Sequence, residues 1–370
     1  MSDDVKEDQN INPTDPFKKQ YGKFYTENYD YIFQNMKIPS KDLHFIEPFV
    51  GKGHLIKYLE SYFSCDRSLL NIHFFDLENH IPNVTVQDTI QHPPDYNDAF
   101  VITNPPFLAR NKNSNKIIYD MYGMNDLYKC FIKTVVYGNC IGGLIILPIN
   151  FLSSIRKNDI ILRQIFIQKY FIEKINIFEE QVFGDTSFSV CSILFHRRLD
   201  HHGFDIPFHI FPDNTQLNIK IDSSTFWMIG GELYNLPLND TINVYRIYIK
   251  ENDDQTNETP NTRIFLNGLD DGISNEIHLR MLNDNEPYFY GKNTDRVFAS
   301  LSIHPPINED KQRKLVKIWN EWFKDKRKKY HSLFLTNYRE SKITARKRVS
   351  FQFVYDSINY LLSNHDELKF

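Results

Sequence analysis

Apolar positions along this chain fall into short runs that alternate between two periods. "LHFIEPF" (43–49), "IHFFD" (72–76), "NVTVQD" (83–88), "AFVIT" (99–103), "GGLIILPINFL" (142–152), "EKINIFEEQVF" (173–183) and "VCSILFHRR" (190–198) are rich in β-branched and aromatic residues. Each ends in polar or turn residues, which predicts strands. Between them the spacing changes to that of helices, in "YGKFYTENYDYIFQNM" (21–36), in the stretch after "GKG" (51–53), in "NDLYKCFIKTVVYG" (125–138) and around 160–170. Strands that are apolar throughout and alternate with helices predict an α/β domain built on a doubly wound, mainly parallel sheet covered on both faces. That pattern spans residues 20–198, after a polar, disordered start over 1–19.

From "LDHHGFDIPFHIFPD" (199–213) onward the runs become short alternating strands joined by long polar connections such as "KENDDQTNETPNTR" (250–263). A boundary near 199 is expected, with an α+β domain over 199–370 and an exposed loop near 250–262. Within it, "KQRKLVKIWNEWFKDKRKKY" spaces Leu315, Ile318, Trp319, Trp322 and Phe323 as one face of a helix.

The strand "AFVIT" runs directly into Asn104-Pro105-Pro106-Phe107. Two consecutive prolines remove two backbone donors and force an extended corner, which can hold one polar side chain beside an aromatic ring. Pro-Pro pairs also follow His92 and His304, so the pair alone is ordinary loop punctuation. Its context is more specific. "EPFVGKG" follows the first strand, and Gly51 and Gly53 allow a tight turn ahead of a helix with free amides. It is not the dinucleotide fingerprint, because Ile56 stands where the third glycine belongs. The second strand ends in Asp76, where an acid can accept both hydroxyls of a ribose; the third ends at Asp88 and the fourth at Asn104. Ligands of doubly wound sheets bind beyond the carboxyl ends of strands, so four consecutive strands each deliver a suitable polar residue there.

Composition limits the remaining classes. Over 370 residues, 41% are hydrophobic and 15% aromatic, which indicates packed cores. The start "MSDDVKEDQN" reads as neither a signal peptide nor a transit sequence, and no apolar run approaches a membrane span. A soluble intracellular protein is expected, in the cytoplasm, or in the nucleus or a viral factory if the source is eukaryotic or viral. Cys65, Cys130, Cys140 and Cys191 lack metal-ligand spacing, so reduced thiols and no metal are expected. The net charge of −4 conceals an asymmetry: residues 311–348 carry fourteen Lys or Arg against three acids, a net +11, leaving −15 elsewhere. Such a segment suits a polyanionic partner, with the clusters Lys326, Arg327, Lys328, Lys329 and Arg346, Lys347, Arg348 as candidate phosphate contacts.

On these residues, 20–198 resemble the S-adenosylmethionine-dependent amino-methyltransferases, specifically the gamma-class DNA adenine-N6 methyltransferases, whose catalytic domain is Rossmann-like. The resemblance implies that Tyr25 and Thr26 in "GKFYT" contact the methionine end of the cofactor. It makes Glu47, Pro48, Phe49, Gly51 and Gly53 the cofactor loop, Asp76 the ribose acid and Asp88 the partner of the cofactor's adenine amine. "NPPF" is similar to the family's catalytic tetrapeptide, with Asn104 also beside the cofactor, and "EEQVFGDTSFSVCSILFHRR" to the segment that brings Phe183 against the target base. Two departures stand out: Lys52-Gly53-His54 is bulky for a glycine loop, and Leu108-Ala109-Arg110 replaces the glycine that often follows the tetrapeptide.

In that chemistry the adenine amine is a poor nucleophile, its lone pair delocalised into the ring. Accepting its two hydrogens on the Asn104 side chain and the Pro105 carbonyl favours a tetrahedral nitrogen aimed at the methyl group, with Pro106 fixing the corner and no strong base needed. A base in a duplex must leave the stack, and Phe107 and Phe183 would hold it on two faces. The expected partner is double-stranded DNA, with a cognate restriction endonuclease open. RNA adenine-N6 and protein-glutamine methylation share the "NPPF" chemistry, and a catalytically silent nucleic-acid-binding subunit of the same fold is a rival of another class. No shared motif follows residue 198, and base-reading residues and oligomeric state are not legible.

Overall fold

The computed structural model describes residues 28–183, 189–249, 258–272, 276–338 and 346–369. The expected disordered start, with Tyr25 and Thr26, lies outside the described residues. Two compact units emerge, 1–147 with 182–186, and 148–181 with 187–370.

In the first unit the elements are α1 (Tyr29–Ile32), β1 (His44–Glu47), α2 (His54–Phe63), β2 (Ile72–Asp76), β3 (Thr85–Val86), β4 (Ala99–Thr103), α3 (Ile117–Tyr122), α4 (Leu127–Gly138) and β5 (Gly142–Pro148). The strands lie in the order β3-β2-β1-β4-β5 and every pairing is parallel. β4 and β5 are buried at every position, as expected of strands covered on both faces. The order reverses between β1 and β4, so the loops after these strands diverge and leave a crevice at their carboxyl ends. This unit has the doubly wound, Rossmann-like α/β architecture expected from the sequence.

The second unit contains α5 (Asn150–Ser153), α6 (Lys157–Lys169), β6 (Tyr170–Phe178), β7 (Val190–Arg197), β8 (Asp205–Phe211) and β9 (Thr215–Lys220). Then come β10 (Asn243–Arg246), β11 (Tyr248–Ile249), β12 (Ile264–Asn267), β13 (Leu269–Asp270), β14 (His278–Met281), β15 (Gly291–Lys292) and β16 (Phe298–His304), followed by α7 (Glu309–Lys329), β17 (Thr336–Tyr338), β18 (Arg346–Arg348) and α8 (Phe351–Asn364). Strands run β7-β6-β8-β9, with β6 antiparallel to β7 but parallel to β8. The compact units therefore do not divide near residue 199. The β6–β8 pairing carries the sheet across that position, and a non-local pairing leaves no trace in local periodicity.

The expected amphipathic helix forms as α7, capped at its start by the Asn308 side chain accepting from the Lys311 amide. Leu315, Trp319 and Phe323 are buried; Trp319 stacks on Phe323 and donates its indole N–H to Ser357 on α8 at 2.8 Å. An antiparallel sheet, β10-β16-β12-β14, a parallel pair, β11-β15, and a ribbon, β13-β18-β17, complete the unit. Among the described residues no helix is long and apolar enough to cross a membrane, and no group of three or more His, Cys, Asp or Glu could hold a metal. None of the four cysteines forms a disulfide among the described residues, and Cys130, Cys140 and Cys191 are buried.

Candidate functional site

A cavity of about 480 Å³ opens in the first unit where the strand ends gather. β1 ends at Glu47 because Pro48 cannot donate to a ladder. The chain then turns back through Gly51, at φ +51°, and Gly53, at φ +77°, both in the left-handed region that favours glycine. Gly53 caps α2. The turn is fixed by the next strand: the Val50 amide donates to the Phe75 carbonyl at 2.9 Å, and the Gly51 amide to Asp76 Oδ2 at 2.9 Å. Thr89, after β3, donates its hydroxyl to the Pro48 carbonyl at 3.0 Å. Asp88 Oδ1 accepts from the Ile90 and Gln91 amides at 3.0 and 2.9 Å, holding its carboxylate at the start of a turn.

The cavity wall brings together Pro48, Phe49, Gly51, Asp76, Asp88, Asn104 and Pro106, residues singled out from the sequence on four different strand ends. Asp76 is 5% exposed. Glu47 lies behind the wall with no exposure; its Oε1 accepts from the Phe49 amide at 3.0 Å and from Thr103 Oγ1 at 2.5 Å. Burial is the largest cause that pushes this carboxyl up to about 8, with the Asp76 charge adding to it, against the hydrogen bonds from Thr103 and Phe49.

Other candidates sit elsewhere. Pro105 is buried and does not line the cavity. Phe107, 3% exposed, packs edge-on against Tyr128 at 5.9 Å between ring centres. Phe183 is buried and also absent from the cavity wall.

Lys112, Asn113, Ser114 and Asn115 complete the wall, a contribution the sequence reading missed. This segment is braced rather than loose. Asn113 Oδ1 accepts from the Asn115 amide and Asn115 Oδ1 from the Ile117 amide, each at 3.0 Å, making successive side-chain-closed turns. Lys116 donates to the Arg110 and Asn113 carbonyls, and Arg110 pairs with Asp120. The Leu127 amide donates to the Leu108 carbonyl at 3.2 Å, tying the segment that follows the prolines to the start of α4. The run "RNKNSNK", dense in turn-forming Asn and Ser, was the available signal.

The basic clusters of the second unit have internal partners. Arg327 pairs with Asp270, Lys329 lies 3.5 Å from Glu232, and Lys326 sits over the Trp322 ring. Lys347 donates to Glu179 at 2.7 Å, and Arg346 and Arg348 are half-buried beside it on β18. Lys328 is exposed. On the outer side of α7, Lys314, Lys317, Lys324 and Lys328 are exposed and make no ion pair among the described residues. Their spacing of three, seven and four places them on one stripe opposite the buried Leu315 and Trp319.

No family model matches the chain, and no curated protein matches it. Among solved structures, part of the chain is similar to a modification subunit of a putative type I restriction enzyme from Vibrio vulnificus YJ016. The identity is 15% and the TM-score 0.42, over 58% of this chain and 52% of that one. A type I restriction-modification methyltransferase subunit from Streptococcus thermophilus gives 15% identity and a TM-score of 0.39, over 56% and 52%. A putative class I S-adenosylmethionine-dependent methyltransferase from Listeria monocytogenes gives 12% and 0.37, over 49% and 61%. The chain spans about half the length of the two restriction-modification subunits.

Proposed function

We propose that the protein is an S-adenosylmethionine-dependent methyltransferase that modifies the N6 amine of adenine in double-stranded DNA. The observation that carries this reading is one cavity wall shared by the glycine loop, Asp76, Asp88 and the Asn104-Pro106 corner. The donor set fits the cofactor. Asp76 suits a ribose diol, the second oxygen of Asp88 makes no hydrogen bond among the described residues and suits an adenine amine, and the buried Glu47 carboxyl behind them favours a cationic ligand. When bound, S-adenosylmethionine supplies the electrophilic methyl group.

The chain's own residues do the rest. Asn104 lines the cavity, and its side-chain oxygen with the Pro105 carbonyl would accept the substrate amine's two hydrogens once both, buried here, are uncovered to it. Pro105 and Pro106 restrict the corner, so little reorganisation accompanies the reaction. Phe107 and Phe183 are both buried here, so a base held between them requires both rings to be uncovered as it enters. The lysine stripe of α7 would track phosphates without reading sequence. A cognate restriction endonuclease as partner belongs to the same proposal.

Tritiated cofactor offered to duplex DNA, single-stranded RNA and a protein extract in parallel tests the reading. Label released from duplex DNA as N6-methyladenine is the expected result. Label on RNA or protein alone refutes the DNA assignment, and no cofactor binding refutes the methyltransferase.

A further inference from the structure

Glu47 is the last residue of β1 and has no exposure, yet it is not inert packing. One oxygen bridges two functional segments: Oε1 accepts from the Phe49 amide in the glycine loop and from Thr103, the residue before Asn104. The other, Oε2, is buried and has no hydrogen-bond partner among the described residues. An ionised carboxylate with an unsatisfied buried oxygen costs more than a protonated one or than one facing a cation.

The titratable groups facing it are Asp76, at the end of β2, and Tyr96, ahead of β4; Lys52, His54 and Asp88 line the cavity beyond. Asp76 opposes ionisation of Glu47, and no cation forms an ion pair with it among the described residues.

We infer that Glu47 is a positioning residue that clasps the glycine loop to the Asn104 segment, keeps its proton while the cavity is empty, and loses it to solvent when a cationic ligand binds. This rests on the cofactor proposed above, whose sulfonium and ammonium are the cations concerned. The O–H bond of Glu47 breaks, its electron pair stays on the carboxylate, and the proton passes to buffer. The elevated affinity of Glu47 for protons, to about 8, agrees with the geometry. Two loops built by different strands are thus tightened by the arrival of the ligand that lies between them.

Calorimetric titration of the full chain with S-adenosylmethionine at pH 7, in phosphate and in Tris, measures the protons released from the dependence of the observed heat on buffer ionisation. The ligand's own amine also titrates near this pH, so the comparison is with Glu47→Gln, which keeps an acceptor for Phe49 and Thr103. The wild type should release close to one proton more than Glu47→Gln. Below pH 8 its affinity should rise up to about tenfold per pH unit relative to that variant. Equal release by the two proteins, or binding by the wild type without release, overturns the inference and spares the cofactor. Failure of the folded wild type to bind either S-adenosylmethionine or S-adenosylhomocysteine refutes both. If Glu47→Gln does not fold, Thr103→Val serves: it removes a hydrogen bond that favours the ionised form, so the pH at which affinity levels off should move upward, and an unmoved midpoint overturns the inference.

Discussion

Two glutamates at the carboxyl ends of strands have opposite fates. Glu47, ending β1 in the first unit, is pushed up to about 8, first by burial and then by Asp76. Glu179, just after β6 in the second, is also opposed by burial, yet the hydrogen bonds and charges of His331 and Lys347 outweigh it and hold the carboxyl at about 2. Lys347 lies 2.7 Å away and His331 3.2 Å. A carboxylate supplied with cations by its own fold is a joint. One buried beside a cavity, with no cation paired to it among the described residues, is on the proposed reading a group waiting for a ligand, and perturbed carboxyls of that kind concentrate at functional sites. Glu47 of the first unit has no ion pair among the described residues, whereas Glu179 and Asp270 of the second pair with cations of their own unit.

The largest effect that would break this comparison is catalytic. Asn104→Ala should lower methyl transfer by at least about a thousandfold, the scale of losing a polar group aimed at the reacting centre. Affinity for S-adenosylmethionine should stay within about threefold, because the side chain acts on the acceptor amine and not on the cofactor. Single-turnover label transfer with calorimetry on the same protein checks both. Next in size, Asp76→Ala should weaken cofactor binding more than tenfold, about 1.4 kcal/mol or more, by removing both a ribose partner and the acceptor of the Gly51 amide. Unchanged affinity in calorimetry would place the cofactor elsewhere.

Much of this site was legible because its signals are local. Strand, proline or glycine, then a short acid or amide is a pattern of a few residues, and it located Asp76, Asp88 and Asn104 on separate strand ends that the fold brings to one cavity. What stayed hidden depends on distant partners. The wall over 112–115 is set by Arg110–Asp120 and by Lys116 capping two carbonyls, and nothing in the run itself fixes which way it faces. The pairing of β6 with β8 erased the boundary expected near 199. The basic clusters looked uniformly available because Asp270 and Glu179, which pair with Arg327 and Lys347, lie far from them in sequence.

The two glutamates should also give stability opposite slopes against pH. Glu179 titrates in the folded state at about 2, below its ordinary 4.5, so its contribution is present above pH 4.5 and is lost as pH falls toward 2. Glu47 titrates at about 8, above 4.5, so its contribution is present below pH 4.5 and is lost as pH rises through 8. Thermal melts without ligand should show Glu179→Gln losing a few degrees at pH 7 and almost none near pH 2. Glu47→Gln should instead flatten the decline between pH 5 and 8. Parallel pH profiles for the two variants would remove the distinction between joint and waiting group.

The smallest effect per residue separates cations that build the second unit from those it leaves over. Arg327 and Lys347 are ion-paired and partly buried, so Arg327→Gln or Lys347→Gln should lower the melting temperature, leaving Asp270 or Glu179 with a lost partner. Lys314, Lys317, Lys324 and Lys328 have no such partner among the described residues, so changing each to Gln should leave the melt unaltered. If the stripe meets DNA phosphates, each change should reduce the slope of log affinity against log salt by about 0.9, equally for all sequences. S-adenosylmethionine binding should not move, since its cavity belongs to the other unit. Fluorescence anisotropy with two unrelated duplexes over a salt series provides the measurement. An unchanged slope after all four substitutions would mean that the DNA path, if there is one, does not run along this face of α7. The charge excess of the segment would then be solvation for a helix whose opposite side is already committed to Trp319 and the core.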